Sequence, residues 1–260
     1  MKFSIITPTY RRSEKLKRAV TSLIAQTYND WEMIIINDSP HDSSYHDFAT
    51  SINDSRIYYF ENDTNRGVNY SRNKALDKIS ADSKWVIFLD DDDYFAPDAL
   101  ATFTKLIMIH GGTKWFMTNR AKHNGESVTN APTSDILYSY AWSYLILKKI
   151  HGDATHCIET KYITRLHARF SNHVKQGEEW FFFYQIGQQQ KLFYHDHNST
   201  ITDGYDVTAG LNFRIRTKNE HFESVSKLLY EGTNIDLLRN PTFILYIFFR
   251  YVKILLPPYR

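Results

Sequence analysis

Four consecutive aspartates, Asp90 to Asp93, are the residues of this chain most able to do chemistry, because they end an apolar run that begins at Trp85. The run is too short to span a membrane and lacks helical periodicity, so it predicts a strand buried on both faces of a sheet. Adjacent carboxylates repel one another unless a cation or hydrogen-bond donors offset their charge. A divalent ion with oxygen ligands, completed by a substrate diphosphate, would do this. The alternative is a solvated acidic turn that starts the helix after Pro97.

Acidic side chains also stand at the ends of other predicted elements. Asp38 comes just after a predicted buried strand at residues 31–36, and Glu178 and Glu179 open a helix predicted for residues 176–189. Ligands of open α/β sheets bind where the carboxyl ends of the strands meet, so these acids are expected along one edge. For the two glutamates, a favourable interaction with the helix dipole is the alternative explanation.

The elements that must position these groups alternate between strands and helices. Apolar runs predict the strands, and a 3.6-residue spacing of apolar side chains predicts a first helix capped by Ser13. The order implies an α/β fold with right-handed crossovers and a mostly parallel central sheet flanked by helices. The predicted strands cover residues 3–7, where Pro8 ends the strand, 31–36, 57–60 and 85–89, and two further helices cover residues 68–79 and 98–109.

The pattern is less regular after Gly111 and Gly112, which end the third helix. Residues 138–150 are apolar and aromatic and fit either a helix or a strand. A polar stretch at residues 123–135 predicts a loop that could cover the crevice. Further strands are predicted at residues 114–119 and 191–194, and the sequence HDHNST at residues 195–200 follows the second of these.

Composition restricts the class of protein. A chain of 260 residues fits one large α/β domain with an appendage, and we predict a domain at residues 1–215, with halves at 1–110 and 111–215, and a helical extension at 216–260. A formal charge of +2 is too small to indicate a nucleic-acid binder. The single cysteine, Cys157, rules out an internal disulfide and is expected to be a small buried side chain.

The first ten residues reach a turn signal too soon to contain the apolar core of a signal peptide, which predicts a cytoplasmic protein. Near the other end, residues 243–256 are strongly apolar but shorter than a membrane span and interrupted by Arg250 and Lys253. Such a helix could lie on anionic lipid at the inner face of the cell membrane, a tendency that Arg260 supports, or it could pack on the domain.

Five motifs occur in an order that resembles one known family. The chain is similar to family-2 glycosyltransferases of the GT-A fold, of the type that builds bacterial surface polysaccharides. The similarity covers residues 2–205, and most of the specific motifs lie in the first 110. The five motifs are SIITPTYRR, IIINDSP, NRGVNYSRNKAL, FLDDDDYFAP and GEEW.

The resemblance implies a site for a nucleotide-diphospho sugar. The segment from Thr7 through Pro8 to Tyr10 resembles the one that packs on the base and ribose. Asp38 resembles the acid that accepts a hydrogen bond from the N–H of a uracil-type base, which a carboxylate pairs strongly. Asn65 and Arg72 lie where the family contacts the base and the diphosphate.

The aspartate run resembles the DXD motif of the family. In that motif the first acid, here Asp90, with Asp91 beside it, faces the ribose or the waters of the ion, and the last, here Asp92, binds Mg²⁺ or Mn²⁺ directly. Asp93 is expected to cap the next helix. The sequence at residues 195–200 resembles a region that holds the diphosphate or the metal, with His197 favoured over His195.

GEEW resembles the motif whose last acid is the general base. Glu179 occupies that position, where the family has Asp, and Glu178 is the substitute candidate. The implied reaction is a single displacement with inversion, from a donor that we expect to be a UDP-sugar, to a hydroxyl of a glycan or lipid-linked acceptor. The sequence does not identify the sugar, because residues 114–176 contain no motif.

Other classes fit the residues less well. A haloacid-dehalogenase-type phosphotransferase would place its Asp-x-Asp strand near the N-terminus and a Thr or Val where Tyr94 stands. A calcium loop needs Gly where Phe95 stands. A nucleotidyltransferase would have a glycine-rich loop after the first strand. A sugar- or nucleotide-binding module without turnover would lack a base, which argues against it because Glu178 and Glu179 are present.

Overall fold

A computed structural model of the chain describes residues 1–175, 177–203, 217–235 and 237–256. The predicted boundary between residues 215 and 216 lies outside these ranges, as do Gln176 and Arg260. The strands are β1 (Phe3–Thr9), β2 (Trp31–Asn37), β3 (Ile57–Glu61), β4 (Trp85–Phe88), β5 (Asp93–Phe95), β6 (Trp115–Lys122), β7 (Ile136–Tyr138), β8 (Ala154–Glu159) and β9 (Leu192–Thr202).

Helices cover both faces of the sheet. Besides the α-helices, a π-helix spans Tyr140–Ile146 and a 3₁₀ turn spans Leu237–Arg239. The α-helices are α1 (Ser13–Ile24), α2 (Ser43–Ser51), α3 (Val68–Leu76), α4 (Ala99–Ile109), α5 (Thr160–Leu166), α6 (Trp180–Gly187), α7 (Lys218–Asn234) and α8 (Pro241–Leu255).

The described strands form one sheet in the order β3-β2-β1-β4-β8-β6-β9-β5, with β7 paired to β9. The predicted α/β class is confirmed. The parallel part consists of β3, β2, β1 and β4, and β6 also pairs with β9 in parallel. Antiparallel pairs join β4 to β8 and β8 to β6. The two predicted halves therefore contribute strands to the same sheet.

Two apolar layers lie on opposite faces of this sheet. Alternate residues of a strand point to opposite faces, so Ile5 of β1 packs in the layer that contains α1 and α4, and Ile6 packs in the other layer. The second layer also contains buried side chains of α6, α7 and α8, including Val225 and Phe243. The C-terminal helices thus complete the core on that face.

Five of the six predicted strands run further along the chain than the sequence predicts, and in β1 and β9 the extension includes candidate site residues. Pro8 does not end β1, because it pairs in register with Ile36 and the strand continues to Thr9. β9 does not end at Tyr194 but runs to Thr202, so residues 195–200 lie inside a strand. Their polar character suits a strand that pairs with β5 and β6 at the sheet edge, although it reads as a loop in the sequence.

The ambiguous stretch at residues 138–150 contains the π-helix rather than a continuous strand or α-helix. α6 begins at Trp180 and not at residue 176, because Gly177 and Glu178 have φ values of 70° and 63° that no α-helix contains. The sequence also did not predict α2, α5 or β8.

Candidate active site

The aspartate run forms a tight turn, called here the acid turn (residues 90–93), between β4 and β5. The amide of Asp93 donates to the carbonyl of Asp90 at 3.1 Å, which closes the turn. Three arginines from three separate elements reach its carboxylates: Arg12 before α1, Arg72 on α3 and Arg120 on β6. The charge repulsion that the sequence implies is therefore offset by guanidinium groups.

Arg12 serves the middle of the acid turn. Its Nη1 lies 3.2 Å from Oδ1 of Asp91 and 2.8 Å from Oδ2 of Asp92. Asp91 is buried and also accepts from the Thr9 hydroxyl at 2.8 Å. Burial raises the pKa of Asp91 to about 6, although Arg12 opposes this. Asp92 keeps 32% of its side chain exposed and is thus the member of this pair that a ligand can reach.

The outer two acids share Arg120. Its Nη2 lies 3.3 Å from Oδ2 of Asp90 and 3.1 Å from Oδ2 of Asp93. Burial alone would raise the pKa of Asp90, but the positive charges of Arg72 and Arg120 outweigh it and hold that pKa below its ordinary value. Asp93 is 1% exposed, and burial raises its pKa. Asp93 starts β5 and does not cap α4, because the N-cap position of α4 is occupied by Asp98.

Arg72 connects the acid turn to the predicted base. Its Nη2 donates to Oδ1 of Asp90 at 2.8 Å, and its Nη1 donates to Oε1 of Glu179 at 3.0 Å. The Arg72 side chain is only 7% exposed. The sequence predicted that this guanidinium binds the diphosphate, whereas both of its terminal nitrogens here hold carboxylates. Arg72 thereby joins Asp90, which lies 18 positions further along the chain, to Glu179, which lies 107 positions further.

Glu178 and Glu179 lie in a turn that we call the glutamate turn (residues 177–179). Asn69 of α3 donates from Nδ2 to the carbonyl of Gly177 at 3.1 Å, which holds the turn from one side. Glu179 is the residue before α6 and keeps 43% of its side chain exposed. Its carboxylate is therefore open to an acceptor while Arg72 orients it.

Glu178 has a different environment. Its carboxylate is 4% exposed and receives two hydrogen bonds from Arg250 of α8, at 2.7 and 2.8 Å. A buried carboxylate with both oxygens held by a guanidinium cannot approach an acceptor hydroxyl without breaking the pair. The structure thus disfavours Glu178 as the substitute base and gives it a structural contact.

A cleft of about 360 Å³ brings together three residues that the sequence assigned to the nucleotide, Tyr10, Asp38 and Asn65. The Tyr10 amide also donates to Oδ2 of Asp91 at 3.3 Å, which connects the cleft to the acid turn. Asp38 accepts hydrogen bonds from the amides of Arg66 and Gly67 at 2.8 and 2.7 Å. This carboxylate therefore also anchors the loop that carries Asn65. The remaining lining residues are Arg11, Ser39, Pro40, His41 and Asp42.

Thr7 and Pro8 do not line this cleft. Both are buried within β1, and the Thr7 hydroxyl has no hydrogen-bond partner among the described residues. Their side chains lie within the sheet next to the site, and the predicted nucleotide contact of these two residues stays a prediction. Thr9 and Tyr10, at the strand end, are the members of the segment that reach the acid turn or the cleft.

His197 is not brought to the acid turn. Its Nε2 lies 3.2 Å from Asp98 and its Nδ1 lies 2.9 Å from the Ser199 hydroxyl. Within the described part of the chain, no group of three His, Cys, Asp or Glu side chains could hold a metal ion. The predicted set of Asp90, Asp92 and His197 is thus not assembled. The reason is that residues 195–200 continue β9 instead of forming a loop.

Sequence reasoning missed Arg12, Arg120 and Tyr45. The Tyr45 hydroxyl accepts from the Arg12 amide at 2.9 Å and lies 2.6 Å from the Thr9 hydroxyl, so α2 helps to hold the strand end. Arg120 directly follows the strand predicted at residues 114–119, and that position was the available signal, whereas Arg12 precedes α1. Tyr45 gave none, because its role depends on a helix without a clear pattern.

Comparison with known proteins shows which family has this arrangement. The family model described as glycosyl transferase family 2 matches residues 4–169. The chain belongs to that family. The match includes the acid turn and Arg72 but ends before Glu178 and Glu179, so it does not itself bear on the glutamate turn.

Curated members of the family are similar over part of the chain. The putative colanic acid biosynthesis glycosyl transferase WcaA of Escherichia coli K12 is 38% identical over 101 residues, which are 38% of this chain and 36% of that protein. An Escherichia coli protein named UDP-Glc:alpha-D-GlcNAc-diphosphoundecaprenol beta-1,3-glucosyltransferase WfaP is 39% identical over 92 residues, 35% of this chain and 36% of that protein. The matched part thus spans little more than a third of the length of either relative.

Solved structures confirm the GT-A fold. Staphylococcus aureus TarS 1–349, solved in complex with UDP-GlcNAc, superposes with a TM-score of 0.69 at 19% identity, over 87% of this chain and 65% of that one. The mannosyltransferase PcManGT from Pyrobaculum calidifontis, in complex with GDP-Man and Mn²⁺, gives 0.59 at 15% identity, over 98% and 70%. At these identities the similarity concerns the fold alone.

Proposed function

We propose that this protein is an inverting, metal-dependent glycosyltransferase. It moves a sugar from a UDP-sugar to a hydroxyl of a glycan or lipid-linked acceptor in surface-polysaccharide assembly. The observation that carries the proposal is the Arg72 bridge, because one buried guanidinium holds Asp90 of the acid turn and the exposed Glu179 at its two ends. The proposed donor site at the acid turn therefore lies close to a carboxylate that can accept a proton, as sugar transfer to a hydroxyl requires.

The donor nucleotide would occupy the cleft lined by Tyr10, Asp38 and Asn65. Asp38 accepts one amide hydrogen bond on Oδ2, and a carboxylate oxygen can accept a second, here from the imide N–H of uracil. We propose UDP rather than another nucleotide because WfaP is named for UDP-Glc and TarS was solved with UDP-GlcNAc.

A divalent ion would bind at the acid turn. Mg²⁺ in proteins is usually held by one or two carboxylates together with substrate phosphates, so a cluster of three protein ligands is not needed. Asp90 and Asp92, whose side chains are 31% and 32% exposed, fit that donor set. When bound, the ion would neutralise negative charge that develops on the leaving diphosphate. The Mn²⁺ in the PcManGT complex supports the choice of a divalent ion.

Glu179 would act as the general base. Its exposed carboxylate takes the proton of the acceptor hydroxyl while the oxygen attacks the anomeric carbon, and the bond to the diphosphate breaks on the opposite side. Attack and departure on opposite faces of the carbon invert its configuration. Arg72 donates to Oε1 of Glu179, which restricts the positions of the carboxylate before the acceptor binds.

The acceptor would be lipid-linked, and α8 would contact the membrane. The outward side of this helix exposes apolar side chains, with Phe248 57% and Leu255 74% exposed. Lys253 on the same helix and Lys148 and Lys149 beside it are also exposed, which suits anionic lipid. No helix in the described ranges is both long and apolar enough to cross a membrane. The diphosphoundecaprenol acceptor in the name of WfaP supports this choice.

Flotation with vesicles tests the membrane contact. The wild type is expected to float with vesicles of phosphatidylglycerol and phosphatidylcholine, and less with phosphatidylcholine alone or at high salt. The double variant Phe248→Ser with Phe249→Ser is expected to float less, while Met108→Ser with Ile109→Ser, which alters two exposed apolar side chains of α4 on the opposite face of the sheet, serves as the matched control. A wild type that stays with the unbound fraction would refute this part of the proposal.

Calorimetric titration of UDP with and without Mn²⁺ tests the donor site. Metal-dependent binding by the wild type, followed by turnover of a UDP-sugar with a diphosphoundecaprenol-linked acceptor, is the expected result. Absence of UDP binding under both conditions would contradict the proposed donor. Binding without turnover of any UDP-sugar would instead favour a binding module.

A further inference from the structure

The glutamate turn is held from two directions. Asn69 of α3 binds the carbonyls of Val174 and Gly177 at 2.8 and 3.1 Å, on the side of the turn that precedes Glu178. Arg250 of α8 binds the Glu178 carboxylate with both terminal nitrogens, on the other side. A residue 72 positions further along the chain thus fixes the residue next to the proposed base.

The backbone of this turn needs such support. Glu178 has a φ of 63°, in the left-handed region that is unfavourable for a residue with a side chain. Residues persist there when their surroundings over-determine the conformation. The Arg250 pair is nearly enclosed, since the two side chains are 20% and 4% exposed, and the Trp180 indole also donates to Glu178. An ion pair in this setting is screened little by solvent and holds its geometry.

Glu178 and Glu179 are joined by one peptide unit, so a change in the dihedral angles of Glu178 moves the Glu179 side chain. Glu179 directly precedes α6, whose first amides donate to the carbonyls of Glu178 and Glu179. Arg72 contacts only one oxygen of Glu179 and does not fix the backbone beneath it. The orientation of the carboxylate therefore depends on the conformation of Glu178.

We propose that Arg250 is a positioning residue for Glu179. It acts through its two-point ion pair with Glu178, which keeps the left-handed turn in place and aims the Glu179 carboxylate at the acceptor hydroxyl. This inference rests on the proposed function. It assigns a role in the reaction to α8, a helix that otherwise completes the core and presents an apolar outer side.

Kinetics of single and double variants test the inference. Arg250→Lys keeps the charge but loses the two-point fork, and Arg250→Gln and Glu178→Gln remove one charge each. The exposed pair Glu223 and Lys227 on α7, at 2.6 Å, gives the matched controls Glu223→Gln and Lys227→Gln. We measure kcat and KM for a UDP-sugar and acceptor, UDP affinity with Mn²⁺, and the stoichiometry of UDP binding, which gives the folded fraction.

The expected result is a kcat per UDP site that falls about tenfold or more in Arg250→Gln and Glu178→Gln and less in Arg250→Lys, because small misplacements of a reacting group are costly. UDP affinity and the donor KM are expected to change less than about twofold, as in the α7 controls. In the double variant Glu178→Gln with Arg250→Gln, the losses are expected not to multiply, because both residues act through one pair.

Three results would overturn the inference. The first is a kcat per UDP site that stays within about twofold of the wild type in Glu178→Gln and Arg250→Gln. The second is a loss that appears only in the binding stoichiometry, which would mean that the pair stabilises the fold and nothing more. The third is multiplicative losses in the double variant. A wild type that binds UDP but transfers no sugar would instead refute the proposed function, and this inference with it.

Discussion

The acid turn and the glutamate turn both present adjacent carboxylates, but the protein places their charges differently. In the acid turn, four aspartates share three arginines, and burial raises the pKa of Asp91 to about 6. In the glutamate turn, Glu178 and Glu179 have one arginine each, and one side chain is buried while the other is exposed. The acid turn is thus a cluster of carboxylates whose charge is offset by three arginines, whereas the glutamate turn separates a buried acid from an exposed one.

Arg72 belongs to both regions. It holds Asp90 with one nitrogen and Glu179 with the other, so the two turns are coupled through a single side chain. The comparison shows that carboxylates of the same chemistry differ in exposure and in role because they pair with different arginines. Each of the following predictions tests one side of that division, and the largest expected effect comes first.

Removing the exposed acid of the glutamate turn is expected to have the largest effect. Glu179→Gln keeps the shape and a hydrogen-bond acceptor for Arg72 but cannot take a proton at neutral pH. We expect kcat to fall by about 10²- to 10⁴-fold, the usual contribution of a general base, with UDP affinity unchanged. Steady-state kinetics and UDP titration measure both quantities. A variant with more than about a tenth of the wild-type kcat would show that the proton goes elsewhere.

In the acid turn, Asp92→Ala is expected to remove one of the two carboxylates that a ligand can reach. The gain in UDP affinity that Mn²⁺ provides should fall about tenfold to a hundredfold, a change of about 1.4–2.7 kcal/mol. Calorimetric titration with and without Mn²⁺ measures this gain. Asp98→Asn, which changes an exposed acid outside the turn, is the control. Equal losses in both variants would argue against a specific ion site at Asp92.

The buried core next to α6 is expected to lose stability when a side chain in it becomes charged. In the acid turn, by contrast, arginines offset the charges of the side chains. His156 of β8 accepts from the Trp115 indole at 3.1 Å in the described structure, and its ring lies 4.2 Å from that of Phe183 on α6. Burial, with a contribution from Arg120, lowers the pKa of His156 from 6.5 to about 3. The unfolded chain therefore binds a proton below pH 6.5 that the folded protein binds only near pH 3.

The free energy of unfolding contributed by neutral His156 is complete above pH 6.5 and is lost as the pH falls toward 3. From pH 7 to pH 5 we expect a loss of about 2 kcal/mol from this residue. Urea unfolding at the two pH values measures it in wild type and in His156→Asn, which keeps an acceptor for Trp115 but does not titrate here. An equal pH dependence in both proteins would be incompatible with a buried neutral imidazole.

The smallest effect is expected for His197→Ala. Because the ring contacts Asp98 and Ser199 and not the acid turn, Mn²⁺-dependent UDP affinity should change by less than about threefold. The same titration as for Asp92→Ala measures this. A loss of tenfold or more would return His197 to the metal site and would mean that β9 rearranges when the donor binds.

The parallel half of the sheet could be predicted well from the sequence. β1 to β4 are short apolar runs that end in polar residues. The candidate site residues follow these runs, so their position at a strand end can be recognised from the local sequence. The Asp90 to Asp93 run was recognised in this way, whereas Glu179 was assigned from the resemblance of GEEW to the family motif. β8 and β9 were missed or shortened because their pairing partners lie far along the chain, and their residues alternate too weakly to show a strand.

The roles of individual charged residues were harder to predict. Arg72 was expected at the diphosphate and Arg250 at a lipid surface, yet both bind glutamates of the glutamate turn. The local sequence shows that an arginine is present but does not predict which carboxylate it binds, because that depends on how α3, α6 and α8 pack. The same reason explains why Arg12 and Arg120 went unrecognised.

The sequence by itself determined the family, the α/β class and the strand ends at which carboxylates appear, because these features follow from local apolar runs and motif spacing. Only the tertiary structure decided which acid is exposed and which is held. Glu178 and Glu179 are neighbours of identical chemistry, and the backbone turn sends one side chain to Arg250 and the other toward Arg72 and solvent. That division arises from long-range packing, which no local pattern encodes.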